Sequence, residues 1–287
     1  LSVGQTAPIR IHHLTESLCA DPRSLRRLLP NVAAEAVQRW ESARRSRDTD
    51  ASYIAITLGR DPFLATNVGT IVDAGLFAPR DPSLSPRDAL IRLGIETMRD
   101  VVLAAVTNEL ARRSTGFEAK TASLRRHALA CALAARFFGR ALGRPSTDDF
   151  VAGLLHDVGE LILFQRCAEE GILLPGVLED PEDGPIIKDS LHYAHTAVGA
   201  ALCRAWGLPE AVARAAELHH DYMGPGKADH LAHLAAAADV VIAHINDRSS
   251  MQLAEHPVLA ALNLPPGSVE RLVEELEAML PAISAIA

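Results

Sequence analysis

Hydrophobic positions recur along almost the whole chain with helical rather than alternating spacing. Over residues 10–113 the pattern predicts a run of short helices. Asp21-Pro22 starts one, Asp50 or Ser52 caps another carrying Ile54, Ile56 and Leu58, and Asp61-Pro62 opens a third with Phe63, Leu64, Val68 and Val72. Gly75 and the segment 79–86 interrupt the pattern. Ser85-Pro86-Arg87-Asp88 then starts a helix with Ala89, Leu90 and Leu93, Gly94 turns the chain, and a long apolar helix covers about 96–112.

Ser114-Thr115-Gly116 reads as a junction. Beyond it a strong helix spans 124–142 and ends at Gly143, with Pro145 close behind. Thr147 or Asp148 caps the next helix, which reaches His156-Asp157. Three prolines and two glycines within 174–185 predict a loop, followed by helices at about 195–206, 209–219 and 229–245 and an amphipathic helix at 266–280. No segment alternates like a strand and no internal repeat is visible. The reading is all-α, with an N-terminal helical subdomain at 10–115, a second at 116–250 and a helical tail at 251–287.

Composition supports this: 48% of residues are hydrophobic but only 4% aromatic, which suits closely packed helices better than a β-sandwich. The formal net charge of −8 argues against a broad nucleic-acid-binding surface. The basic cluster Arg44, Arg45 and Arg47 reads as a solvated helix end. Cys19, Cys131, Cys167 and Cys203 are dispersed without a CxxC pair, which fits a reducing cytoplasm better than a disulfide framework or a zinc ribbon. No apolar run approaches the ~20 residues of a membrane span, and no signal peptide is visible, so no membrane partner is expected. Leu1, standing where Met would begin a complete chain, suggests a fragment.

Histidines and aspartates change the picture from architecture to chemistry. His127 lies among Ala128, Leu129, Ala132 and Leu133, and His156-Asp157 ends the apolar run Val151-Ala152-Gly153-Leu154-Leu155. His195 opens a helix, His219-His220 closes the following one, and Asp239 sits in an alanine-rich stretch. Each such group buried in apolar helices costs several kcal/mol unless paired. A divalent cation satisfies several at once, because neutral imidazole and carboxylate are both good ligands. The remaining histidines, His12, His13, His230, His233, His244 and His256, read as surface or loop residues, and His192 as a partner that orients His195. Arg125 and Arg126 either line a solvated helix face or meet an anion.

The order His127, His156-Asp157, Asp239 resembles the H…HD…D signature of the HD superfamily of metal-dependent phosphohydrolases, most clearly in Gly153-Leu154-Leu155-His156-Asp157-Val158-Gly159. His195-x-x-x-Gly199 and His219-His220 are similar to the further histidines of HD-GYP and HDOD domains. Leu29-Pro30, Gly59-Arg60-Asp61-Pro62-Phe63-Leu64, Ala89-Leu90-Ile91-Arg92-Leu93-Gly94 and Trp206-Gly207-Leu208-Pro209 look like HDOD. The resemblance implies an all-helical HDOD fold in which His127, His156, Asp157 and Asp239 hold one metal. Asp157, the residue at the centre of any catalysis, would bridge to a second ion held by His195, His219 and His220. Such a nitrogen-rich pair of sites favours iron, manganese, zinc, cobalt or nickel. Two divalent ions against two aspartates leave positive charge suited to a phosphate.

The chain also departs from the HD-GYP pattern. Glu160 stands where those phosphodiesterases carry a lysine, and Asp221-Tyr222-Met223-Gly224-Pro225 replaces the GYP motif. Two functions follow from the resemblance. One is a metal-bound HDOD regulator of signal transduction, with other signalling proteins or domains as partners. The other is a phosphoric ester hydrolase acting on a nucleotide or cyclic dinucleotide.

Overall fold

The computed structural model describes residues 3–46, 51–77, 86–112, 116–223, 229–247 and 253–286, and every regular element among them is a helix. The first seven are α1 (Val3–Ala20), α2 (Pro22–Arg26), α3 (Asn31–Ser46), α4 (Ala51–Leu58), α5 (Pro62–Asp73), α6 (Pro86–Leu93) and α7 (Ile95–Arg112). The second half adds α8 (Glu118–Ala141), α9 (Asp149–Leu155), α10 (Val158–Glu169), α11 (Asp183–Ala205), α12 (Glu210–Leu218), α13 (His230–Asp247), α14 (Pro257–Ala260) and α15 (Ser268–Ile286). Single 3₁₀ turns lie at Val177–Glu179 and Leu253–Glu255. No helix among the described residues is long and apolar enough to cross a membrane.

Two of the expected helix starts are built as the side chains dictate. Asp21 Oδ1 accepts from Arg23 N at 3.1 Å and Asp61 Oδ1 from Leu64 N at 3.1 Å, each ahead of a proline in the first turn. The turn at Gly94 takes a φ of +81°, a conformation open to glycine. Ser52 is no cap, because α4 already begins at Ala51. Asp50, Arg47, the break at 79–85, the junction residues Ser114 and Thr115, and Gly224-Pro225 lie outside the described residues.

Two stretches differ from the sequence expectation. The loop expected over 174–185 is only partly a loop. Helix α11 begins at Asp183, so His195 lies deep inside a 23-residue helix instead of opening one. The reason is positional. Pro185 sits in the first turn, where no intrahelical N–H is needed, and Asp180 Oδ1 accepts from Glu182 N and Asp183 N at 2.9 and 2.8 Å. Gly184 lets that turn press on Leu178, whose carbonyl oxygen would lie 2.6 Å from an added Cβ. The chain also opens on a full helix, α1, in spite of Pro8. Its buried Ala7, Ile11, Leu14 and Leu18 share one face, and the helix packs on α11 and α10.

Helix α2 joins α1 against α11, where Trp206 Nε1 donates to Leu25 O at 3.2 Å. Helices α3 to α7 pack mainly on one another, and α7 also meets α8, α9 and α10. Helix α15 lies along α8, and Asn108 on α7 donates through Nδ2 to Ile286 O at 3.0 Å.

A buried ion network joins the two halves where α7, α8 and α9 meet. Asp148 stands at the expected start of α9, yet its carboxylate does not cap that helix. It pairs with Arg99 Nη1 at 2.9 Å, while Arg99 Nη2 donates to Thr147 O and Arg136 Nη2 donates to Asp100 Oδ2 at 2.7 Å. Arg136 also covers the Phe150 ring at 4.3 Å. Burial pushes Asp100 up to about 6 despite both arginines. Removing one partner leaves the others buried and uncompensated, so Arg99→Met is expected to cost about 3–5 kcal/mol in urea unfolding. A loss below about 1 kcal/mol would show that the network contributes little.

Candidate metal centre

Two glycines bracket His156-Asp157 and let two helices come within backbone contact of their neighbours. A Cβ on Gly153 would lie 2.4 Å from Cys131 O, so α9 crosses α8 one turn past His127. A Cβ on Gly159 would lie 2.0 Å from His195 O, so α10 crosses α11 at His195 itself. His156 ends α9 and Asp157 begins α10, which aims the pair into the angle between the two crossings. The motif Gly-x-x-His-Asp-x-Gly thus has a steric reading: each glycine brings a different histidine-bearing helix to the Asp157 carboxylate.

The carboxylate divides its oxygens between two groups of imidazoles. Asp157 Oδ2 lies 3.2 Å from His156 Nε2 and 3.5 Å from His127 Nε2. Asp157 Oδ1 lies 3.2 Å from His195 Nε2 and 3.2 Å from His219 Nε2. His127 and His156 approach Nε2 to Nε2 at 3.3 Å, as do His195 and His219. His220 joins the second group, all of whose donor atoms lie within 4.8 Å of one another. Asp239 Oδ1 reaches the first group through His127 Nε2 at 3.4 Å. The seven residues singled out by sequence therefore come together, from α8, the α9–α10 junction, α11, the end of α12 and α13.

These separations can be set against what a metal requires. Nitrogen ligands about 2.0–2.1 Å from a tetrahedral ion stand about 3.3 Å apart, and mixed nitrogen and oxygen ligands about 3.4 Å. The tautomers agree. His156 Nδ1 donates to Gly153 O at 2.8 Å and His219 Nδ1 donates to Ala216 O at 3.0 Å, which leaves each neutral ring with its Nε2 lone pair facing the cluster. Lone pairs this close repel unless a proton or a cation lies between them. The donor set fits a metal ion.

Asp157 and the imidazoles around it shift one another strongly. Burial acts to raise Asp157, but the facing imidazoles of His156, His127 and His195 hold it well below the usual carboxylate range. Burial together with His219, His195 and His192 pushes His220 down to about 3, so it is a neutral imidazole at neutral pH. His192 stands beside both rings, its centroid 5.5 Å from His195 and 4.5 Å from His220.

Other residues have partners that their sequence reading did not name. Glu160 is paired with Lys120 Nζ at 3.2 Å, so its charge beside the cluster is matched by a cation from α8. His233 is no bystander: its Nε2 donates to Val258 O at 2.8 Å and its ring stacks on Tyr222. His256 caps α14 by accepting from Val258 N at 3.3 Å. Arg125 is half-buried, and burial with Arg112 and Arg126 lowers its pKa. Cys131 was not a site residue on sequence grounds, yet its Sγ lies 3.5 Å from His127 Nε2. The i,i+4 spacing from His127 was the available signal.

A family model for the HDOD domain matches residues 29–222. The chain belongs to the HDOD domain family. This HDOD chain is 25% identical over 185 residues, 63% of its length, to an uncharacterized protein of Treponema pallidum (strain Nichols), and the match spans only 36% of that relative. Among solved structures it superposes with a TM-score of 0.66 on a candidate phosphohydrolase from Shewanella amazonensis SB2B, at 19% identity, covering 95% of this chain and 97% of that one. An HDOD domain protein of unknown function from Geobacter sulfurreducens also gives 0.66, at 22% identity over 90% of each chain. A candidate signal transduction protein from Marinobacter aquaeolei VT8 gives 0.60 at 22% identity, covering 89% of this chain and 57% of that one. At these identities the likeness is one of fold.

Proposed function

We propose that this HDOD protein is a cytoplasmic signal-transduction module built around a dinuclear transition-metal site, with little or no turnover of its own. The observation that carries the reading is the division of the Asp157 carboxylate, one oxygen toward His127 and His156, the other toward His195 and His219. In this reading His127, His156, Asp157 and Asp239 hold one ion, and Asp157, His195, His219 and His220 the second. The nitrogen-rich set favours iron, manganese, zinc, cobalt or nickel. Two such ions would supply positive charge and Lewis acidity toward an anionic ligand such as a nucleotide. Membership of the HDOD family supports a regulatory role, as does the likeness to a candidate signal transduction protein longer than this chain. Other signalling proteins or domains are the partners proposed.

Low turnover is argued from Glu160. A phosphate approaching the cluster would meet a carboxylate whose nearby cation, Lys120, is already engaged with it. The same pair favours a second reading, a metal-dependent phosphohydrolase, because it leaves the site less negative than an unpaired Glu160 would.

Elemental analysis is expected to find about two transition-metal ions per chain, while a panel of phosphoesters and cyclic dinucleotides gives only trace hydrolysis. Glu160→Lys adds a cation beside Lys120 and should raise any trace phosphodiesterase activity about tenfold, since one contact to a charged group contributes about 1.5 kcal/mol or more. Robust turnover by the natural sequence, abolished by Asp157→Ala, would replace the regulatory reading with the enzymatic one. A metal-free protein that keeps its fold would remove both.

A further inference from the structure

We infer that the N-terminal half carries a second binding site, a cleft between the α2–α3 connection, α5 and α7 that takes a free aliphatic α-amino acid. The inference stands apart from the metal reading, since it uses no residue of the Asp157 cluster. The cleft encloses about 150 Å³, a size at which engineered cavities admit a molecule such as benzene. Three elements supply its walls. Asp61, Leu64 and Asn67 follow one another at i, i+3 and i+6 from the start of α5, so they share one side of that helix. Glu109 comes from the last turn of α7, which packs on α5. Arg27, Leu28 and Pro30 come from the α2–α3 connection, and α2 is tied to α11 by the bond from Trp206 Nε1 to Leu25 O.

Asn67 is the residue that asks for a ligand. It is only 6% exposed, and its carboxamide lines the cleft with no hydrogen-bond partner among the described residues. A buried amide left unpaired costs about 1–3 kcal/mol, a cost that alanine would avoid and that a ligand able to donate and accept removes. The charges around Asn67 say which ligand. Arg27 brings a guanidinium, whose planar fork matches a carboxylate. Asp61 and Glu109 bring carboxylates to the same space, and Asp61 is held in place by accepting from Leu64 N at 3.1 Å. Leu28, Pro30 and Leu64 make the remaining wall apolar. This set matches a carboxylate, an ammonium and an aliphatic side chain on one small carbon frame. Free phosphate or a nucleotide fits less well, because two carboxylates would repel it and a single guanidinium would attract it.

Calorimetric titration of the full chain with valine and leucine tests this. Both are expected to bind at a single site. Isovalerate, which lacks the ammonium, and isobutylamine, which lacks the carboxylate, should bind about tenfold or more weakly than valine, the loss of one contact to a charged group. Arg27→Gln changes an exposed side chain and should lower valine affinity by a similar factor without moving the urea midpoint. Asn67→Ala should weaken valine binding while preserving or raising stability, since it removes an unpaired amide. If Asn67→Ala fails to fold by circular dichroism, Arg27→Gln carries the same test. No binding of either amino acid at millimolar concentration would overturn the assignment. So would valine binding that survives these substitutions, which would put the ligand elsewhere, the metal centre included. Isovalerate or isobutylamine binding as tightly as valine would overturn the amino-acid class. None of these results touches the metal reading, which elemental analysis tests separately.

Discussion

Asp157→Ala is expected to empty both metal positions, whereas His195→Ala empties only the second. The two changes each remove one donor residue from the cluster, so the difference between them isolates the bridging geometry. Asp157 presents Oδ2 to His127 and His156 and Oδ1 to His195 and His219, all within 3.2–3.5 Å. Its loss withdraws an anion from each position and leaves imidazoles facing one another with no compensating charge. His195 touches only the Oδ1 side, through Asp157 at 3.2 Å and His219 at 3.3 Å. Two donors from outside that side, His127 and His156, are untouched by its removal. Metal content of the purified variants should therefore fall from about two ions per chain to near zero in the first case and about one in the second. Equal loss from both variants would defeat the bridging assignment, and full retention by Asp157→Ala would defeat the site.

The helical class and the residues that come together around Asp157 were legible because both depend on local pattern. Helical spacing needs only neighbouring residues, and His127, His156, Asp157, His195, His219, His220 and Asp239 stand out as polar residues in apolar helices. What escaped depends on which helix meets which. Arg99, Asp100 and Asp148 form one buried network only because α7 packs on α9, although two charges within the apolar run of α7 hinted at it. Lys120 offsets Glu160 across an α8–α10 contact that no motif records. The start of α11 was misplaced for a different reason. Proline and glycine mark helix beginnings as well as loops, and only Asp180 turning back on the first N–H groups separates the two cases. In α1, Pro8 obscured a face that Ala7, Ile11, Leu14 and Leu18 spell out at helical spacing.

The glycines of the motif give the sharpest contrast between sequence and structure. Gly159 and Gly199 both lie at the crossing of α10 and α11 and look equivalent on the page, yet they should respond oppositely to alanine. A Cβ on Gly159 would sit 2.0 Å from His195 O, 2.7 Å from Gly199 N and 2.9 Å from His195 C. All three atoms are backbone, so no rotamer relieves the overlap and the helices must separate by about 1 Å or more. Overpacking of this kind typically costs about 1–3 kcal/mol, and a rigid backbone contact belongs at or above the upper end. At Gly199 the nearest atoms to an added Cβ are Gly159 N at 3.4 Å and Ala216 Cβ at 3.5 Å, which is ordinary contact. There alanine should be neutral or stabilising, since it regains up to about 1 kcal/mol of helix propensity within α11. Urea unfolding of the two variants should thus differ in sign or by more than about 2 kcal/mol. Gly159→Ala should also weaken the second metal position before the first, because the displaced helix carries His195 away from Asp157 Oδ1. Comparable stability of the two variants would show that α10 and α11 do not meet in backbone contact at His195, and the steric reading of the motif would fall.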